Sequence, residues 1–188
     1  MSPIIDLLRR EHGYIVSVLN VLEEQLRRFE IGGQADYEIV AAAVEYFQGF
    51  PDRCHHPKEN LVFDRLRKRE PSVVQEVGDL ARAHRDIEAA LRALGGALTA
   101  ILGDAEVPRQ VFVRIAKDFI AQQRQHCVME ETRFFPAIAR ILDDDDWQVL
   151  RGEMTQERDP LLGGAGDRRF ELLRRTILEW QSETMSET

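Results

Sequence analysis

The sequence predicts an all-α protein: an antiparallel up-down four-helix bundle with extra short helices at its C-terminal end. Three observations predict it. Apolar residues recur at alternating steps of three and four through four long segments, the spacing of a buried helix face. Breakers and caps fall between those segments, near residues 33, 70 and 105. Glu, Leu, Ala and Arg, all strong helix formers, recur throughout the 188 residues. A chain of this length can bury a real core as one domain.

The first stripe reads Ile5, Leu8, His12, Ile15, Leu19, Leu22, Leu26 and Phe29. Gly32-Gly33 ends it, and Asp36 caps the next helix. That second helix carries Val40, Val44, Phe47, His55, Glu59, Val62 and Leu66, and it contains Pro51 and Pro57. A kink or local bulge is therefore expected beside His55. Pro71-Ser72 opens a third helix with the cleanest stripe: Val73, Val77, Leu80, His84, Ile87, Leu91, Leu94 and Leu98. Gly103-Asp104 closes it. Pro108 begins the fourth, which carries Phe112, Ile115, Phe119, His126, Glu130, Phe134 and Ile138. Residues 1–142 are expected to form the bundle, and residues 143–188 a helical extension packed on the same domain. In that extension Asp143 to Asp146 reads as a solvated cap for a short helix from Trp147 to about Met154. Asp159 to Gly166 reads as a loop, and Phe170 to Trp180 as a weaker helical stripe. Trp147, Phe170 and Trp180 are expected to cover one side of the bundle or a homodimer partner.

Composition narrows the function. A net charge of -8 and a pI near 5.2 predict a soluble protein repelled by nucleic acid and by anionic membranes. No apolar run approaches the roughly 18 residues of a membrane helix. Met1-Ser2-Pro3-Ile4-Ile5-Asp6 lacks the basic and apolar regions of a signal peptide. Cys54 and Cys127 are too few for a disulfide framework, so the cytoplasm is the expected compartment. They read as small buried apolar groups.

The chemistry is carried by histidine. The chain has five: His12, His55, His56, His84 and His126. At least four interrupt an apolar stripe, one per long helix. A lone core histidine is usually a hydrogen-bonded packing residue. The joint pattern differs. In an up-down bundle His12 and His55 lie about 21 and 22 residues from the first turn, roughly 31–33 Å along the axis. His55 lies about 15 residues before the second turn and His84 about 14 after it; His84 and His126 each lie about 21 from the third. All four fall in one layer. Independent packing histidines have no reason to share a depth, whereas metal ligands must. Carboxylates fall in the same layer: Glu59, Glu130 and Glu88 each follow a layer histidine by four residues. His56, about 100° around the helix from His55, is a candidate for a fifth imidazole. Such a nitrogen and oxygen donor set suits iron, with manganese or zinc as possible substitutes, and argues against Cys-rich structural zinc.

The stretch from Cys54-His55-His56-Pro57 to Glu59 resembles the His-His-x-x-Glu signature of hemerythrin-like cation-binding domains. His126-Cys127-Val128-Met129-Glu130-Glu131 resembles that family's fourth-helix ligand motif, and His12 and His84 match its lone histidines on the first and third helices. The resemblance covers roughly residues 1–142. It implies a bundle holding two iron ions with an oxo or hydroxo bridge, with His12, His55, His84 and His126 as terminal ligands and Glu59 and Glu130 as carboxylate bridges. The implied function is a di-iron protein that senses, binds or reacts with oxygen, nitric oxide or peroxide. A di-iron enzyme and a metal-free interaction bundle are the alternatives. Two positions depart from the oxygen-carrying members. Glu88 stands where they have a second histidine on the third helix, and their five-residue spacing on the fourth would select Glu131 over Glu130. With Glu88 at the metals, the reduced centre is expected to react with oxygen without carrying it reversibly.

Overall fold

The computed structural model describes residues 2–156 and 165–186, and the regular structure among them is all helical. Helix α1 (Pro3–Glu30) starts where the Ser2 hydroxyl accepts the Ile4 N–H at 3.3 Å. It ends where the Gly33 N–H reaches back to the Arg28 carbonyl at 3.0 Å. Asp36 accepts the N–H groups of Glu38 and Ile39 to open α2 (Tyr37–Phe50). A π-turn (Pro51–His55) joins α2 to α3 (His56–Arg69). Then follow α4 (Val73–Val77), α5 (Leu80–Leu102) and α6 (Arg109–Met129). A second π-turn (Glu130–Phe134) leads into α7 (Phe135–Ile141), followed by α8 (Asp144–Gln156) and α9 (Ala165–Ser186).

The bulge expected beside His55 is the first π-turn. Pro57 has no N–H and would clash with the carbonyl of Arg53 in a regular helix; the wider π-turn moves that carbonyl aside. Pro136 stands in the same relation to Thr132, inside the second π-turn, which the apolar stripe did not announce. The third predicted helix is two helices. Gly78 has φ +90°, a conformation that ends α4, and the Asp79 carboxylate then accepts the Arg82 N–H at 3.0 Å to restart the chain as α5. The acidic run does cap α8. Asp143 and Asp146 exchange backbone-to-carboxylate bonds at 3.1 and 3.2 Å, and Asp146, 1% exposed, is also held by Arg65 at 2.6 Å. Asp146 is thus a buried cap, not the solvated one expected. Most of the stretch read as a loop, residues 159–164, lies outside the described residues, and Ala165 and Gly166 already belong to α9.

Helix α1 packs on α2 and α6, and α5 packs on α2 and α6. Helix α9 lies against α1 and α2, and α8 against α3. The apolar side chains form two clusters, one around Leu19, Phe47, Leu91 and Phe119, the other around Leu8, Leu66, Phe134 and Ile138. A buried polar layer lies between them. On α1 the order is Leu8, then Glu11 and His12, then Ile15; on α5 it is Leu80, His84, Ile87. From α2 to α3 it is Phe50, then His55, His56 and Glu59, then Val62. Around the second π-turn His126 and Glu130 precede Phe134.

Helix α9 is docked by shape and by polar contacts. Phe170 and Ile177 are buried, and Trp147 of α8 joins the second cluster; Trp180 is 39% exposed. The Gln25 amide donates to Gln181 at 2.7 Å and accepts the Asp36 N–H at 2.8 Å, tying α1, α2 and α9 together. Gly49 receives the Phe170 ring so closely that a Cβ there would lie 2.1 Å from it. Gly49→Ala should therefore destabilise the fold by about 1–3 kcal/mol through overpacking. The check is thermal unfolding with limited proteolysis: a lower Tm with α9 cleaved first is expected, and an unchanged Tm would contradict this docking.

Candidate metal centre

All five histidines reach the polar layer, each 8% exposed or less, together with Glu59 and Glu130 at 0%. The first π-turn ends at His55, so His55 and His56, neighbours in sequence, both turn inward. The second begins at Glu130 and buries it, while Glu131 is left 35% exposed. These side chains form two groups that could each hold a cation: His12, His55, Glu59 and Glu130, and His56, Glu59, His84 and His126. Within each group one donor atom per residue lies within 4.8 Å of all the others.

Both carboxylates face both groups. Glu59 Oε1 lies 3.0 Å from His55 Nε2 and 3.5 Å from His12 Nε2, while its Oε2 lies 3.5 Å from His84 Nε2. Glu130 Oε2 lies 3.1 Å from His12 Nε2, while its Oε1 lies 3.2 Å from His126 Nε2 and 3.9 Å from His84 Nε2. These approaches do not have hydrogen-bond geometry. All four carboxylate oxygens, and the Nε2 atoms of His12, His55 and His56, are buried without a hydrogen-bond partner. Stranding that many polar atoms in a core is costly. A cation between them satisfies donors that converge from several sides, so the residues present fit a metal.

Outer groups orient three of the rings. His12 Nδ1 lies 3.1 Å from Glu131, which Arg9 holds at 3.0 Å. His55 Nδ1 lies 2.8 Å from Glu11, which Lys58 also contacts, and His56 Nδ1 lies 3.3 Å from Asp52. In each case the outer acid takes Nδ1 and leaves Nε2 facing inward, the way metal-binding imidazoles are usually supported. Sequence reasoning missed Glu11, Asp52 and Lys58. Asp52 stands four residues before His56, a readable signal; Glu11 reaches across to His55 from another helix, which no spacing reveals.

Glu88 is a correction. It is 46% exposed and accepts a bond from Arg92 at 2.8 Å. A step of four residues advances about 40° beyond a full turn, and His84 already sits at the edge of the buried stripe. Ile87, not Glu88, continues inward. The further imidazole beside His84 and His126 is instead that of His56, whose ring stacks on His84 at 4.0 Å. The expectation of ready autoxidation, which rested on Glu88 at the metals, loses its cause. Cys54 and Cys127 both pack with the first apolar cluster, and burial pushes the Cys127 thiol up to about 11.

A scan against family models matches the hemerythrin HHE cation-binding domain over residues 3–138. The chain belongs to that family. No match was found among curated proteins or among solved structures. The matched span of this hemerythrin-family chain includes all five histidines and both buried glutamates, so family and geometry together make it a metal-binding protein.

Without a cation the layer is balanced by protons. Burial pushes the His12 imidazole down, but the Glu130 and Glu59 carboxylates outweigh it and raise it to about 11. Burial likewise opposes protonation of His55 and His84, yet Glu59 with Glu11, and Glu130 with Glu59, raise each to about 9. Burial dominates at His126, lowered to about 4, and also lowers His56. Burial works against ionised Glu59, but the facing histidines hold it well below the usual carboxylate range. Three imidazoles therefore carry protons that a bound cation must displace. Uptake should release protons, and apparent affinity should rise between pH 6 and 8. The sign follows from pKa values raised above 6.5: the protons stay on through that window in the metal-free chain and leave when metal binds. Calorimetry in buffers of different ionisation enthalpy checks this. Affinity independent of pH, with no proton release, would contradict it.

Proposed function

We propose that this chain is a non-haem di-iron protein that senses, binds or reacts with oxygen, nitric oxide or peroxide. The observation that carries the reading is the pair of carboxylates, each offering one oxygen to each histidine group. A single ion needs one such face. Two faces suit two ions about 3.5–4 Å apart, the spacing of di-metal sites. One ion would take His12, His55, Glu59 Oε1 and Glu130 Oε2. The other would take His56, His84, His126, Glu59 Oε2 and Glu130 Oε1. Nitrogen and carboxylate donors in this ratio suit iron; manganese and zinc would fill the same set.

The same reading takes the fold as an up-down four-helix bundle. Its sides are α1, α2 with α3, α5, and α6 with α7; residues 1–142 form the bundle and residues 143–188 the extension. A di-iron pair would supply redox change and an open position for a small ligand. The chain does the rest. His12, His55 and His56 are held in one orientation by Glu131, Glu11 and Asp52. The apolar clusters above and below the layer exclude bulk water. Glu59 and Glu130 stay ionised and so supply two negative charges to balance the cations. The chain is proposed to act in the cytoplasm, without nucleic acid or membrane partners, and as a homodimer. No helix among the described residues is long and apolar enough to cross a membrane.

Protein purified from iron-supplemented cells should hold close to two irons per chain. Its spectrum should show oxo-bridged ferric bands. Glu59→Ala and Glu130→Ala should each lose both ions together, because a bridge serves both. Glu131→Ala should keep both ions and bind them less tightly, by about 10–100-fold. Metal analysis and titration read all three variants. Repeated purification with only traces of any transition metal would overturn the reading, and loss of a single ion from Glu59→Ala would overturn the bridging role.

A further inference from the structure

A cleft of about 370 Å³ lies between α1, α2 and α9, beside the metal layer but outside it. Tyr46 stands against it. The residue is 1% exposed, and its hydroxyl is buried without a hydrogen-bond partner. Arg174, Glu11 and Glu171, whose charges act on that hydroxyl, line the same cleft as Tyr46. Burial raises the phenol above its ordinary range, and nearby Glu11 and Glu171 add to this although Arg174 opposes them. It remains a neutral donor. A buried donor without an acceptor costs roughly 1–3 kcal/mol, and Tyr46 belongs to neither candidate metal group.

The cleft has two chemically different ends. At the inner end the Tyr46 hydroxyl offers a proton, and the Glu11 carboxylate, 5% exposed, offers lone pairs. A group that both accepts and donates answers that pair. Exposed Arg10 and half-buried Arg174 also line the cleft, and their guanidinium groups answer an anion. Arg174 is fixed in place: it holds Glu171 at 3.0 Å and lies 4.5 Å over the Tyr14 ring. Between the ends Phe50 and Phe170 supply aromatic walls, with Phe170 seated in the notch at Gly49.

We propose that this cleft binds a small hydroxylated aromatic acid. Its hydroxyl accepts from Tyr46 and donates to Glu11, its ring lies against the edge-to-face pair of Phe50 and Phe170, and its carboxylate meets Arg10 and Arg174. Helix α9 supplies Phe170 and Arg174, so the C-terminal extension completes the site. Glu11 also holds His55 Nδ1 at 2.8 Å. An occupant therefore touches, through one carboxylate, a ring that faces the metal layer.

The test is calorimetric titration of the full-length, metal-free chain with 4-hydroxybenzoate, which keeps the result separate from the metal reading. Saturable binding of one molecule per chain is expected. Tyr46→Phe removes only the hydroxyl and should weaken binding at least about tenfold, while leaving the ligand-free Tm unchanged or higher. Arg10→Gln, at an exposed position that the fold does not need, should also weaken it. Absence of saturable binding would overturn the proposal. So would equal affinity in Tyr46→Phe, because ordinary packing of a phenol in a core would give that result.

Discussion

The fold is organised around one costly arrangement: two glutamates, fully buried and facing five imidazoles in the middle of an apolar core. Buried carboxylates are destabilising unless opposite charge is brought to them. Four long segments of chain each deliver at least one imidazole to the same depth, and the apolar clusters on either side hold the layer shut. Protons can supply the charge, as the raised His12, His55 and His84 show, but protons do not give the carboxylate oxygens hydrogen-bond geometry. A cation does not need that geometry.

Local irregularities make the arrangement possible. On a helix His55, Glu59 and His56 fall within an arc of about 100°, so all three can share one side. The π-turn at Pro51–His55 makes room for Pro57, and all three side chains face in. The π-turn at Glu130–Phe134 separates Glu130, which enters the layer, from Glu131, which stays outside and holds His12. Neighbouring acids thus take different tasks, one facing the inner nitrogen of His12 and one the outer.

Much of this was legible in the sequence. The stripes locate the long helices, and counting residues from the turns puts His12, His55, His84 and His126 in one layer. Pro57 pointed to the bulge beside His55. What was not legible has physical reasons. An apolar stripe continues in register across Gly78, so Val73 and Val77 read as one helix with Leu80 although the backbone breaks between them. Pro136 carries the same signal as Pro57, but the apolar stripe runs on from Phe134 to Ile138 across it without a break. Glu88 shares the four-residue spacing of Glu59 and Glu130, yet His84 lies at the rim of its stripe, and the same step turns that carboxylate out to Arg92. Glu11 supports a histidine on a different segment, a contact that exists only after folding.

The central claim is that Glu59 and Glu130 each join two metal ions. Anomalous diffraction at the iron edge, from crystals of iron-loaded protein, tests it most directly. Two peaks are expected in each chain, one bounded by His12 and His55 and the other by His56, His84 and His126, with both glutamates between them. A single peak, or peaks away from this layer, would contradict it.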